Sequence, residues 1–138
     1  MRSLALLPVT VVLISCGAES PEAQVRKAFG DAVKAVEAGD AAGAVEVLHP
    51  EFQGPEGMNK AEARAYLFGW LRQEKVGVTV IAQRLELKGP VAMHSADLLL
   101  TGRRGGLIPE ESSRRTLVIR WELRDKRWRI REIRTPNP

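Results

Sequence analysis

Up to Lys75 the apolar positions of the chain recur at helical spacing, and beyond it they alternate. Ser20-Pro21-Glu22 predicts a helix start: a hydroxyl N-cap, a proline whose missing N–H costs nothing at the first position, and a carboxylate near the positive end of the dipole. Val25, Ala28, Phe29, Ala32, Val33 and Val36 then follow the i, i+3, i+4, i+7 rule of an amphipathic helix, and Gly39 predicts its end. Asp40 is placed to cap a shorter second helix running through Leu48, with His49-Pro50 as its stop, because proline disfavours helical geometry in the residue before it. The segment "EFQGPEG" reads as a loop by composition. Asn59-Lys60-Ala61-Glu62 predicts a capping box opening a third helix. That helix is expected to turn Ala61, Ala65, Phe68 and Leu71 to one side, with Tyr66 and Trp70 as a second stripe beside them.

After Lys75 the period falls to two. Val76, Val78 and Val80 alternate, but the apolar phase slips before Leu85 and Leu87, which predicts a bulge or a strong bend between them. Lys88-Gly89-Pro90 reads as a turn, Val91 to Thr101 as the next strand, and "GRRGGLIPEES" as a long loop. Leu117, Ile119, Trp121 and Leu123 alternate against Thr116, Val118, Arg120 and Glu122; Asp125-Lys126 predicts a tight turn, and Trp128 and Ile130 begin the last strand. Three helices followed by four hairpin-linked strands predict an α+β domain: N-terminal helices packed against one face of a strongly bent antiparallel sheet.

The start of the chain follows another logic. Leu4 to Ile14 is apolar but would span only about half of a ~30 Å hydrocarbon core as helix, so it fits a secretory signal better than a membrane anchor. It ends in Leu13-Ile14-Ser15-Cys16, which resembles the lipobox of bacterial lipoproteins. That resemblance implies diacylglycerol on the Cys16 sulfur, cleavage just before it and acylation of the new amino group. It divides the chain into a signal peptide (1–15), a lipidated cysteine with a short tether (16–20) and a folded domain (21–138). Gly17 after the cysteine, in place of the aspartate associated with inner-membrane retention, implies the outer membrane of the cell envelope, facing the periplasm. The alternative for a lone cysteine is a buried or catalytic thiol. A catalytic thiol needs a base or a helix N-terminus to lower its pKa, and no histidine is near in sequence. Cys16 is the chain's one cysteine, so the domain stands on its core without a disulfide.

Composition adds an asymmetry of charge. The formal charge is +4, with a pI near 9.6. Residues 17–75 carry ten acidic and seven basic side chains, and residues 103–134 carry eleven basic and five acidic ones. A basic strand half could meet anionic lipid or an acidic partner, or it could simply be the solvated outer face of a sheet. Nucleic acid is not an expected partner for an exported chain.

The element order, with "AVEAGDAAGAVEVLHPEF", "MNKAEARAYL" and the closing "RWRIREI", resembles the nuclear transport factor 2-like superfamily, which includes SnoaL-like cyclases and ketosteroid isomerases. The resemblance covers Pro21 to Ile133. It implies a cone in which a bent sheet wraps the long first helix around an apolar pocket, and a homodimer formed through the sheet. Both enzymes and non-catalytic modules use this fold, so function has to be argued from the site.

Catalysis in such a pocket needs an acid or base and a donor for a developing oxyanion. His94 shares a strand face with Ala92, Ala96, Leu98 and Leu100, whereas Asp97 shares the other with Met93, Ser95 and Leu99, so the two cannot form an oriented pair. His94 as base and Tyr66 as donor are the catalytic candidates; a hydrogen-bonded core histidine is the plainer reading of His94. No position matches the family's catalytic aspartate and tyrosine. Pocket candidates are Phe29, Tyr66, Trp70, His94 and Trp121. With His49 read as a helix terminator and no cysteine or carboxylate cluster nearby, neither a metal site nor a cofactor is expected. "GRRGG" lacks the lysine and the strand-loop-helix setting of a phosphate loop. These readings lead to a lipid-anchored envelope protein whose domain binds a small apolar molecule or a protein without chemistry. The alternative is an isomerase- or hydratase-like enzyme acting on a hydrophobic small molecule, and a purely structural module is a third.

Overall fold

The computed structural model describes residues 19–103 and 111–136. Cys16, the signal segment and most of the "GRRGGLIPEES" loop lie outside them. The elements run α1 (Pro21–Glu37), α2 (Ala41–Val45), β1 (Leu48–Gln53), a short 3-10 turn (Pro55–Gly57), α3 (Lys60–Gln73), β2 (Lys75–Lys88), β3 (Val91–Arg103), β4 (Glu111–Arg124) and β5 (Arg127–Arg134). Helices therefore precede a curled, unclosed sheet in the expected α+β arrangement, with strand order β1-β5-β4-β3-β2.

The helix ends form where the sequence chemistry puts them. Ser20 Oγ accepts from the Ala23 N–H at 3.2 Å, and Asp40 Oδ1 accepts from the Gly43 N–H at 2.9 Å. Asn59 and Glu62 complete the reciprocal capping box of α3, at 2.8 and 3.2 Å. Gly39 takes φ +75°, a left-handed conformation that closes α1 and that a side chain would oppose.

Two expectations about the helical half are corrected. The second helix stops at Val45, and His49-Pro50 does not terminate it; both residues belong to β1, and the "loop" that follows continues that strand to Gln53. β1 lies at the sheet edge, parallel to β5, with the Ile130 N–H donating to the Val47 carbonyl at 2.9 Å. An edge tolerates a proline that cannot donate to a ladder. The sheet thus has five strands rather than four, the added one being its sole parallel pairing among the described residues. The second correction concerns α3: Ala63 is buried and Leu67 packs on the core, while Ala61, Ala65 and Phe68 face outward.

The stranded half follows its pattern closely. β2 pairs with β3 in register from Lys75 to Val80 and again from Ala82 to Lys88, so Ile81 is the extra residue of a bulge, where the apolar phase slips. Val78, Val80, Leu85 and Leu87 consequently all reach the core side. A second irregularity falls between Arg120 and Trp121 on β4, opposite β5. Bulges increase local twist and bend the strand, which is how a long sheet curls around α1. Asp125 and Lys126 both take positive φ, 49° and 64°, giving the two-residue turn whose twist suits a hairpin.

The core lies between the concave sheet face and α1. Val25, Ala92, His94, Ala96, Ile119 and Trp121 are fully buried, and Phe29, Leu98, Trp128 and Ile130 nearly so. Burying a side chain such as Ile119 contributes about 2 kcal/mol.

Candidate functional site

The far half of the cone is hollow. A cavity of about 480 Å³ lies between the C-terminal half of α1 (Phe29, Ala32, Val33, Val36), the α2–β1 segment (Val45, Leu48, Phe52), α3 (Ala63, Tyr66, Leu67, Trp70) and the concave strands (Val78, Leu98, Leu100, Leu117, Ile133). The wall is almost wholly hydrocarbon, and two charged side chains, Glu56 and Arg115, join it. Both are exposed, as is Tyr66, so the polar groups of the lining stand where it meets solvent.

Arg115 gets there by strand parity. It is two residues ahead of Leu117 and four ahead of Ile119 on β4, and it pairs with Leu98 of β3 in the inward phase. One guanidinium N–H donates to the Arg114 carbonyl at 3.2 Å, and Arg115 has no carboxylate partner among the described residues. Glu56 gets there by a strained turn: between Pro55 and Gly57 it takes φ +61°, a conformation that costs a non-glycine residue of order 1 kcal/mol. Trp70 is oriented by its own helix, since its Nε1–H donates to Glu74 Oε2 at 3.1 Å; the Tyr66 ring leans beside it with centroids 6.3 Å apart.

Of the residues expected in the pocket, Phe29, Tyr66 and Trp70 line it, and His94 and Trp121 do not. His94 sits behind Phe29, whose ring meets its own edge to face at 4.8 Å. The Trp121 Nε1–H donates to His94 Nδ1 at 3.2 Å, so the ring proton is on Nε2, which donates to Gln83 Oε1 at 2.8 Å. Burial, with the Arg26 charge adding to it, pushes the His94 pKa down from 6.5 to about 4. This is a neutral imidazole with both nitrogens engaged inside the core, outside the cavity lining to which Tyr66 belongs. Asp97 is on the outer face, accepting from the Thr116 hydroxyl at 2.7 Å, with Arg114 at 3.7 Å. His49 is buried in β1, and its Nδ1 accepts from the Glu51 N–H at 2.9 Å. Among the described residues no group of His, Cys, Asp or Glu side chains is arranged to hold a metal ion.

Arg115 and Glu56 are the charged lining residues that pattern reading passed over, beside apolar ones such as Ala63, Leu67 and Ile133. The first was legible: extending the Leu117–Ile119–Trp121 phase backwards places an arginine on the apolar face. Nothing in the sequence around Glu56 marks it as a wall residue.

No family model matches the chain, and no curated protein does. Many solved structures share its fold. A protein of unknown function from Mycobacterium tuberculosis superposes with a TM-score of 0.73 at 16% identity, covering 88% of this chain and 78% of that one. A candidate scytalone dehydratase from Novosphingobium aromaticivorans gives 0.72 at 10% identity, covering 84% of each chain. LinA gives 0.70 at 16% identity, covering 83% of each. At such identities the likeness establishes the fold, which is that of the nuclear transport factor 2-like cones, and leaves function to the site.

Proposed function

We propose that the chain is a lipid-anchored protein of the bacterial cell envelope, held at the outer membrane through Cys16, whose cone binds an apolar small molecule without transforming it. The observation that carries the binding reading is the cavity: about 480 Å³ of hydrocarbon-lined space, enough for a compound of modest size, with polar groups confined to its exposed edge. Apolar surface transferred into such a space supplies affinity without any directed chemistry. Arg115 adds one cation at the edge, which favours a ligand carrying an acidic group at one end of an apolar body.

The non-catalytic reading rests on His94. A base for proton abstraction has to reach the reacting atom, and this imidazole is walled off by Phe29 with its Nδ1 lone pair occupied by Trp121. The isomerase- or hydratase-like alternative retains Tyr66 and Glu56 as exposed acid–base groups on the wall.

The test is native mass spectrometry of the chain purified gently from a bacterial host. A folded protein carrying a small apolar compound, with diacylglycerol mass on Cys16, is the expected result. Cys16→Ser should abolish both that mass and membrane association. A wild-type chain secreted without lipid would overturn the anchoring, and a reproducibly empty cone that also rejects apolar dyes would overturn the binding.

A further inference from the structure

Anchoring through Cys16 fixes more than an address, because the tether leaves the domain at a particular end of it. Two residues, Gly17 and Ala18, separate Cys16 from Glu19, so the lipid lies within about 11 Å of chain from the first described residue. Glu19 and Gln24 line a depression together with Lys126, Arg127, Trp128 and Arg129, so the start of α1 abuts the β4–β5 hairpin. Gln24 holds the entry in place by donating to the Glu19 carbonyl at 2.9 Å.

That end is basic. Between Arg124 and Arg129 four of the six residues are cationic and one, Asp125, is acidic. Arg124 is 4.0 Å from Asp125, a carboxylate that is 95% exposed and screens it little, and Arg129 donates to the Glu46 carbonyl at 3.0 Å. Lys126 and Arg127 are exposed. The β2–β3 turn closes on the same end, since the Leu123 N–H donates to the Pro90 carbonyl at 2.8 Å, and it puts exposed Lys88 at that end of the sheet, two strands across from Glu122. Glu19, Asp31 and Glu46 line the depression behind the tip together with Lys27 and Arg129. Asp125 stands in the tip itself, and Glu122 and Glu86 lie two residues before Arg124 and Lys88 on the strands that lead to it, so the cations outnumber the acids there without excluding them.

The cavity occupies the opposite end. Val78, Leu98, Leu100 and Arg115 of its lining come from the beginning of β2, the end of β3 and the beginning of β4, while Ile119 and Ile130 carry it back to the middle of the sheet and no further towards the tip. The C-terminal end of α1 is there too, where Glu37 accepts from the Val78 N–H at 3.4 Å. Lys75 and Lys88 stand at opposite ends of the 14 residues of β2, up to about 40 Å apart along the strand.

We propose that the tip formed by Lys88, Arg124, Lys126 and Arg127 is a second membrane contact, docking on anionic lipid headgroups beside the lipidated cysteine, so that the domain stands upright with its cavity turned away from the bilayer. This rests on the anchoring reading above and not on the cavity having a particular ligand. Charges this close to an anionic surface lie within the screening length at physiological salt, so they act cooperatively with the acyl chains. The acyl chains on Cys16 already suffice to hold the protein, so what the basic tip adds is a second point of contact that fixes orientation. The orientation also has a functional meaning: the cone exchanges its ligand with the aqueous compartment or a soluble partner, and not with the leaflet on which it stands.

The experiment uses the full lipidated chain, after mass spectrometry has confirmed the acyl groups on Cys16. A Lys88→Cys or a Gln73→Cys substitution supplies the one labelling thiol, at the tip or at the exposed end of α3. The labelled proteins are placed in phosphatidylglycerol-containing vesicles that carry a headgroup quencher. Quenching of the label at position 88 and not at position 73 is expected. It should weaken in high salt, in vesicles of phosphatidylcholine alone, and when Arg124→Glu and Lys126→Glu are combined. Equal quenching at both positions, stronger quenching at 73, or indifference to the charge reversals would overturn the proposal while leaving the anchor intact. Absence of the acyl mass would overturn the anchoring reading first, and this one with it.

Discussion

The indole N–H of Trp121 donates to His94 Nδ1 across adjacent strands, at 3.2 Å and with both side chains fully buried. β3 and β4 supply the pair, which is offset by two residues from the directly opposed Ala92–Trp121 and His94–Ile119 positions. The consequence is a histidine that stays neutral in the fold, because protonation would put two donors face to face in a desolvated site.

Stability should therefore depend on pH through His94. Its folded pKa of about 4 is below the ordinary 6.5, so between those values the unfolded chain binds the extra proton and stability rises with pH. Falling from pH 7.5 to pH 5 should cost about 2 kcal/mol from this residue. Urea denaturation at the two pH values measures it, and His94→Gln should flatten the difference. An equally steep loss in that variant would assign the dependence elsewhere.

The two buried tryptophans should respond differently to Phe. Trp121→Phe leaves the His94 Nδ1 lone pair without its donor and should cost about 1–3 kcal/mol beyond the lost ring area. Trp128 Nε1 is buried with no partner among the described residues, so Trp128→Phe removes an unsatisfied donor and should cost less. Comparing urea midpoints of the pair cancels most of the common size effect; equal costs would mean that the Trp121–His94 bond contributes nothing net.

On α3, neighbouring apolar residues should behave as opposites. Leu67 packs against the core and lines the cavity, whereas Phe68 is 55% exposed and makes its aromatic contact with Arg72, 5.4 Å from the ring centroid. Leu67→Asp should destabilise by about 2–3 kcal/mol, and Phe68→Asp should stay within about 0.5 kcal/mol. The reverse order would restore the helix face that periodicity alone suggested.

The cavity should lose apolar ligands when its wall acquires a charge. Leu100 is a half-buried wall residue, so Leu100→Glu leaves the fully buried core untouched. Titration with Nile red, a neutral dye, should show affinity falling on the order of tenfold or more, since a buried carboxylate must then be desolvated. Unchanged dye binding would place the dye outside the cone.

How much could be read beforehand follows from which elements carry their own signal. The hairpins of β2 to β5 were legible, as was a bulge or bend somewhere between Val80 and Leu85, which falls at Ile81, because alternation shows which residues face inward and a phase slip is itself visible. The caps of α1 and α3 were legible because they depend on side chains within four residues. β1 was not: it is six residues long, contains Pro50, and owes its existence to the distant edge of β5. The face of α3 was misread because Ala61, Ala65 and Phe68 sit at helical spacing as well as Ala63, Leu67 and Trp70 do, and only the cavity decides between them. His94 was read correctly as inward, yet its distance from the pocket wall depends on Phe29, which comes from another element.

The parallel pairing of β1 with β5 also sets an order of events. Arg129 reaches back across 83 residues to the Glu46 carbonyl, and the Ile130 N–H closes on Val47. A chain that emerges amino end first must therefore hold an exposed, unpaired segment at 48–53 until its last strand arrives. Loop closure over such a span slows folding, and a chain missing only its final strand would lose an edge near its beginning as well. The clasp makes arrival of β5, rather than appearance of the helices, the moment at which this fold commits.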